Sequence, residues 1–287
     1  MFNKRHIVRT IAATVSILAL SFTAACGSGQ STASNSTDSD DITQQTYKPG
    51  KLTIATGQPA YEPWVMNDKP ESGEGYEAAV AYAVADKLGF KKSDVVWTRT
   101  AFDTAIAPGA KDWDFNIQQF GITDERKKAV DFSSSYYNDS QSVVVKKDSK
   151  FANATKVSDL KDATVGVMVG TLAYDYAKAN IKDDIQTFND DAALAQALDA
   201  GQIDALVTST VECVYMVQSE QVKDAMVVGR IADSTDPNGM GIVLPKDSKL
   251  TAAVTKAVDD LNADGTIKKL QDKWLAEYTT DLTELKK

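Results

Sequence analysis

The chain predicts an α/β protein with mainly parallel sheets. Three observations carry this: short apolar runs of strand length recur, helical patterns stand between them, and glycine or proline punctuates most junctions. Residues 51–56 (KLTIAT) read as a first strand, followed by a loop, GQPAYEPW, that Pro59 and Pro63 keep irregular. Residues 75–90 form an amphipathic helix, with Val80, Ala83, Val84 and Leu88 on one face and Gly89 as its stop. Residues 94–98 (DVVWT) give a second strand, and Phe102 opens a short helix broken at Pro108-Gly109. Residues 114–118 interleave apolar and polar side chains as a short strand ending at Gln118-Gln119. Thr123 then caps a helical turn that carries Asp124, Glu125 and Arg126.

Residues 142–147 (SVVVKK) and 163–169 (ATVGVMV) are strand-like, and the second runs through Gly170-Thr171 into a helix to Asn180. Such a junction leaves backbone N–H groups free at the helix start, a ready site for an anion. Residues 190–201 form a capped, alanine-rich helix with Leu194 and Leu198 on one face, and 203–207 (IDALV) is another apolar strand. Residues 226–230 and 240–244 are strand-like. Ser248 caps a helix to Ala263, and Thr266 caps a last one running through Trp274 to Tyr278.

At 287 residues the chain is long enough to bury a sizeable core as one large domain or two modest ones. Its first 25 residues stand apart: Lys4, Arg5 and Arg9 precede an apolar run too short to span a bilayer, the layout of a secretory leader. The run ends in Thr23-Ala24-Ala25-Cys26, which resembles a bacterial lipobox with Cys26 as the lipidated residue; cleavage after Ala25 with a free thiol is the other reading. Residues 27–46 are rich in Ser, Thr, Asp and Gln and bury nothing, so residues 26–46 are expected to be an anchored, disordered tether. Without the leader, 28 basic residues face 40 acidic ones, a net charge of −12 that argues against nucleic acid as partner. The only histidine, His6, lies in the leader, which removes Ser-His, Cys-His and His-metal chemistry from the rest of the chain. Cys213 sits in the apolar stretch ECVYMV and reads as a buried small hydrophobe.

The stretch from Asp114 to Tyr137 (DFNIQQFGITDERKKAVDFSSSYY) combines a strand, a polar loop containing Gly121 and a planar cation, Arg126. Guanidinium pairs bidentately with carboxylate, so this is a cradle for a small acid. An isolated arginine on such a turn is equally read as one charge on a solvated face. The order Asp114, Ile122, Thr123, Glu125, Arg126, Val130, Asp131, Phe132, Ser133, Tyr136, Tyr137 resembles the signature region of the family 3 extracytoplasmic solute-binding proteins. The resemblance extends over residues 51–278.

That resemblance implies a type II periplasmic-binding-protein-like fold. Two lobes, residues 47–141 with 241–287 and residues 142–240, would be joined by two hinge crossings. It implies an extracytoplasmic component of an ABC importer, anchored to the cell membrane through Cys26. Such a component captures an amino acid or related small carboxylate between its lobes and hands it to a permease driven by an ATPase. A monomer with no metal and no cofactor is expected. An enzyme on the same scaffold, dehydratase-like, or a ligand-sensing module is the alternative.

Carried over residue by residue, the resemblance puts Arg126 on the ligand carboxylate, helped by Gln119, the Gly121 backbone and the helix start at Thr171-Leu172. Tyr61, Trp64 and Phe102 would wall the ligand side chain, although Trp64 and Phe102 also suit a core. Gln58, Gln118 and Ser209 would offer polar contacts. Four positions depart from the family pattern. Ala79 replaces an acid, Leu172 replaces a hydroxyl residue, Gly121 stands where Thr or Ser is usual, and Ser209 stands where an aspartate pairs with the ligand ammonium. Glu212, one turn on, would reach the same charge, or is a solvated helix residue.

Overall fold

The computed structural model describes residues 41–279 and 282–287. The leader, Cys26 and the tether as far as residue 40 lie outside the described residues. In chain order the elements are β1 (Leu52–Thr56), α1 (Tyr76–Lys87), β2 (Val95–Arg99), α2 (Phe102–Ile106), β3 (Phe115–Asn116), β4 (Val130–Tyr137), β5 (Gln141–Lys146) and β6 (Val165–Met168). There follow α3 (Leu172–Asn180), β7 (Gln186–Phe188), α4 (Asp191–Asp199), β8 (Ala205–Ser209), α5 (Thr210–Gln218) and β9 (Ala225–Ile231). Last come β10 (Met240–Pro245), α6 (Thr251–Ala263), α7 (Thr266–Trp274) and β11 (Glu284–Leu285).

The strands make two sheets, in the orders β2-β1-β3-β10-β4 and β11-β9-β5-β8-β6-β7. In the first, β1 runs parallel to β2 and β3, while β10 is antiparallel to β3 and β4. In the second, β6 runs parallel to β7 and β8, and β5 is antiparallel to β8 and β9. Every residue of β1 is buried, as a parallel strand covered on both faces requires. Val80, Ala81, Val84 and Ala85 of α1 close over the first sheet with Val254, Val258 and Leu261 of α6. Val143, Val165 and Val207 form the centre of a separate core in the second sheet. Each sheet with its helices is thus one lobe of a two-lobe type II α/β fold.

The chain passes between the two sheets at residues 138–140 and again at 232–239. The tail differs from expectation: β11 joins the second sheet by pairing in parallel with Arg230 and Ile231 of β9, so residues 284–285 belong with lobe 2. Leu285 is buried in the second lobe's core, and that apolar contact is what draws the tail across. At the other end, Ile42–Gln44 form a short 3₁₀ turn within the stretch expected to be tether. The Asp41 side chain accepts the Thr43 N–H at 2.9 Å, and buried Asp114 holds the next residues by accepting from the N–H groups of Tyr47 (2.5 Å) and Thr53 (2.6 Å). Two caps also shift: Gly265 is the N-cap of α7, and Leu250 that of α6, with Ser248 Oγ accepting the Leu250 N–H just outside.

Candidate functional site

Loops at the carboxyl ends of the parallel strands of both sheets converge on one cavity of about 450 Å³. This is where open α/β sheets usually receive ligands. Lobe 1 contributes the segment after β1 (Gln58 and Tyr61), the start of α2 (Phe102), and the segment after β3 (Gln118, Gln119, Gly121) with Arg126. Lobe 2 contributes three strand-to-helix junctions: Met168–Ala173 before α3, Asn189–Asp191 before α4, and Thr208–Glu212 around the β8–α5 turn. Ten of the eleven residues singled out from the sequence therefore share one wall-to-wall space.

Trp64 is the exception. It is fully buried behind the cavity against Tyr76 and Tyr137, where it donates its indole N–H to Glu212 Oε1 at 2.7 Å. It supports a wall residue, Glu212, from the core.

Thr123 Oγ1 accepts the Arg126 N–H at 3.1 Å, fixing the turn from which the guanidinium projects. One terminal nitrogen donates to Gly121 O at 2.7 Å in lobe 1 and the other to Gly170 O at 2.8 Å in lobe 2. The guanidinium carbon lies 5.5 Å from the centroid of the Phe102 ring, which itself stacks on Phe120 at 4.7 Å. Burial pushes the Arg126 pKa down from its ordinary value, opposed by the charges of Asp175 and Asp236. Two of a guanidinium's five N–H donors are thus occupied by carbonyls.

The other predicted contacts are partly engaged. Gln119 takes a left-handed backbone (φ 50°), and Glu77 holds it there by accepting its backbone N–H at 2.8 Å and its side-chain amide. The amide of Gln119 is therefore committed to the core, and what it offers the cavity is a fixed loop shape. Glu77 also accepts the Tyr136 hydroxyl, and burial pushes its pKa up to about 7. Thr171 caps α3, donating to Met168 O at 2.8 Å and accepting the Tyr174 N–H at 3.2 Å, so its hydroxyl is used locally. Leu172 and Ala173, in the first turn of α3, line the cavity, and first-turn N–H groups have no partner within their helix. A side chain at position 121 would place its Cβ 2.4 Å from Leu172 Cδ1. The two departures from the family pattern, Gly121 and Leu172, are thus complementary across the cleft.

Ser209 caps α5, its Oγ accepting the Glu212 N–H at 3.3 Å. Sequence reasoning left Glu212 open and read Asp190 only as a helix cap; both line the cavity, as does Asp191. Glu212 is 4% exposed, and burial with the charge of Asp191 beside it pushes its pKa well up. Burial pushes Asp191 up to about 6, eased by the Thr208 hydroxyl donating at 3.4 Å and reinforced by the negative charge of Asp190. The Tyr61 hydroxyl belongs to the same group, its pKa raised by burial and by the charges of Asp190, Asp191 and Glu212. Two adjacent acids after a strand were the available signal, but β7 is a short, mostly exposed strand that gives no apolar pattern. Cys213 is buried as expected, its Sγ directed at Thr208 O at 3.7 Å.

The family model for bacterial extracellular solute-binding proteins, family 3, matches residues 52–277. The L-cystine-binding protein TcyJ of Escherichia coli strain K12 is 30% identical over 222 residues, covering 77% of this chain and 81% of that protein. A solved ancestral arginine-binding protein bound to arginine superposes with a TM-score of 0.67 at 31% identity, over 79% of this chain and 99% of that one. An ancestral amino acid-binding protein described as a precursor of cyclohexadienyl dehydratase gives 0.65 at 31%, over 78% and 95%. With its cleft between two lobes and a family match over nearly all of the described residues, the chain belongs to the family 3 bacterial extracellular solute-binding proteins.

Proposed function

We propose that this chain captures an amino acid between its lobes and delivers it to an ABC permease, whose ATPase drives uptake. The observation that carries the reading is Arg126: a half-buried guanidinium on the cavity wall, 5.5 Å from the Phe102 ring centroid, with N–H donors left after its two carbonyl contacts. A ligand carboxylate placed there meets a half-buried cation, together with the α3 N-terminus at Leu172 and Ala173. Tyr61 and Phe102 flank the ligand body, and Gln58, Gln118 and Ser209 offer polar contacts. Gly121 contributes its carbonyl by orienting Arg126, and Gln119 contributes the shape of the loop.

The relatives named for L-cystine and for arginine support an amino-acid ligand, because the same two-lobe frame and family pattern are shared. A thermal-shift screen of the full-length protein against the common amino acids tests this. A saturable rise in melting temperature with an unaltered ligand is expected, since binding to the folded state alone stabilises it by mass action. No rise with any amino acid, or conversion of the ligand into a new product, would contradict the carrier reading.

The lipobox-like Cys26 supports anchoring to the outer face of the cell membrane, with the polar segment after it as tether. Replacing Cys26 with Ala should move the protein from the membrane fraction to the soluble extracytoplasmic fraction. Retention of the variant in the membrane fraction would contradict the anchor.

A further inference from the structure

Arg126, the cation of the cavity wall, has a carboxylate close behind it that takes no part in the wall. Its guanidinium makes no ion pair among the described residues and is held by two carbonyls. Two acids act on it through space, Asp175 and Asp236. Asp175 is exposed on α3, where water and salt screen it. Asp236 is half-buried on the second crossing and does not line the cavity.

Hydrogen bonds of the second crossing bring Asp236 to the anchor. Its N–H donates to Asp139 O of the first crossing at 3.2 Å, its carbonyl accepts the Gly239 N–H at 3.2 Å, and its Oδ1 accepts the Asn238 N–H at 2.9 Å. The turn so formed is laced to the loop that carries Gly121. Ile122 N–H donates to Gly239 O at 2.9 Å, the Asn238 side-chain amide to Ile122 O at 3.2 Å, and Gly241 N–H to Phe120 O at 2.9 Å. The other carboxylate oxygen, Asp236 Oδ2, has no accessible surface and no hydrogen-bond partner among the described residues. It lies against Gly121, since a Cβ built there would be 3.0 Å from it. The Gly121 carbonyl in turn accepts from Arg126 at 2.7 Å. Cation and carboxylate thus flank one glycine, at a position where any side chain would crowd Oδ2. Burial pushes the Asp236 pKa up, eased by the N–H groups of Asn238 and Gly239 and by the charge of Arg126.

We propose that Asp236 is a positioning residue for solute capture: a counter-charge behind Gly121 that steadies the Arg126 guanidinium in the empty cleft and loosens its grip on a ligand carboxylate. This rests on the reading of Arg126 as the carboxylate anchor. A carboxylate reaching the guanidinium from the cavity meets, one residue away, a fixed negative charge that water screens poorly, and the two anions share one cation. The second crossing thereby sets how tightly the anchor holds. The effect is one of charge rather than shape, because Asn at position 236 would still offer an Oδ1 to the Asn238 N–H and keep the turn.

Calorimetric titration of full-length wild type and Asp236→Asn with L-arginine and L-glutamine, and with the α-carboxamide of each, tests the counter-charge. Asp236→Asn is expected to bind each acid about 5-fold more tightly, while the amides, which bring no second anion, bind the two proteins alike. Asp236→Glu, which keeps the charge, should not show the gain. A ligand-free measurement stands beside this one: in urea unfolding, Arg126→Gln should cost less stability in the Asp236→Asn background than in the wild type, because the attraction it removes is already gone. Equal or weaker binding of the acids by Asp236→Asn, an equal gain with acids and amides, or additive losses in the unfolding cycle would overturn the counter-charge while leaving Arg126 as anchor. If neither acid binds the wild type, the unfolding cycle decides by itself. Unchanged affinity of Arg126→Ala for an acid that binds the wild type would remove the anchor and the counter-charge together.

Discussion

Three carboxylates, buried Glu77 and Asp139 and Asp191 on the cavity wall, share one cause and one direction of perturbation. Burial raises them to about 7, 6 and 6, and the hydrogen bonds each accepts offset this only in part. A group whose folded-state pKa lies above its unfolded value, here near 4, contributes stability that is full below that value and lost as pH rises through the folded pKa. The unliganded protein should therefore melt at a higher temperature at pH 5.5 than at pH 7.5. Glu77→Gln should flatten part of that slope, because it removes the group with the highest value of the three. Melting curves at the two pH values check the sign, and a melting temperature that falls on acidification would contradict the assignment of these groups.

At the scale of elements, the second crossing is packed tightly against the first. Gly239 has φ 67°, and a Cβ there would meet Asn138 Oδ1 at 1.9 Å and Tyr137 O at 2.8 Å, so the two crossing strands touch where only hydrogen fits. Gly239→Ala should lower stability by about 1 to 3 kcal/mol, measured by denaturant unfolding, and an unchanged midpoint would show that the crossing relaxes freely. Most strands were legible in the sequence: β1, β5, β6, β8 and β10 because continuous burial writes an apolar run, and β2, β3 and β9 from shorter strand-like runs although β2 is largely part-exposed. β4 was not read as a strand because its middle is Ser133-Ser134-Ser135. There Ser133 Oγ accepts the Ile242 N–H at 2.9 Å across an irregular register, so a hydroxyl does what a backbone carbonyl does elsewhere. β7 and β11 are short and partly exposed, and pair only because the larger sheet presents an edge.

For the whole molecule, the architecture follows from how the chain is divided: two sheets with separate cores, crossed by short segments, leave a cleft that neither lobe could form alone. The Arg126 turn and the helix starts were legible because caps and glycine junctions leave local marks in a sequence. What was not legible, the inward turn of Trp64, the commitment of Gln119 to Glu77 and the pairing of Gly121 with Leu172, depends on contacts between segments 42 to 148 residues apart. The account stands on Arg126 as the carboxylate anchor of a cleft shared by both lobes. The most direct measurement is calorimetric titration of wild type and Arg126→Ala with one amino acid that stabilises the wild type, after their unliganded melting curves show that both are folded. A loss of about 2 to 5 kcal/mol of binding, some 30-fold or more, is expected, and equal affinity in the two proteins would contradict the account.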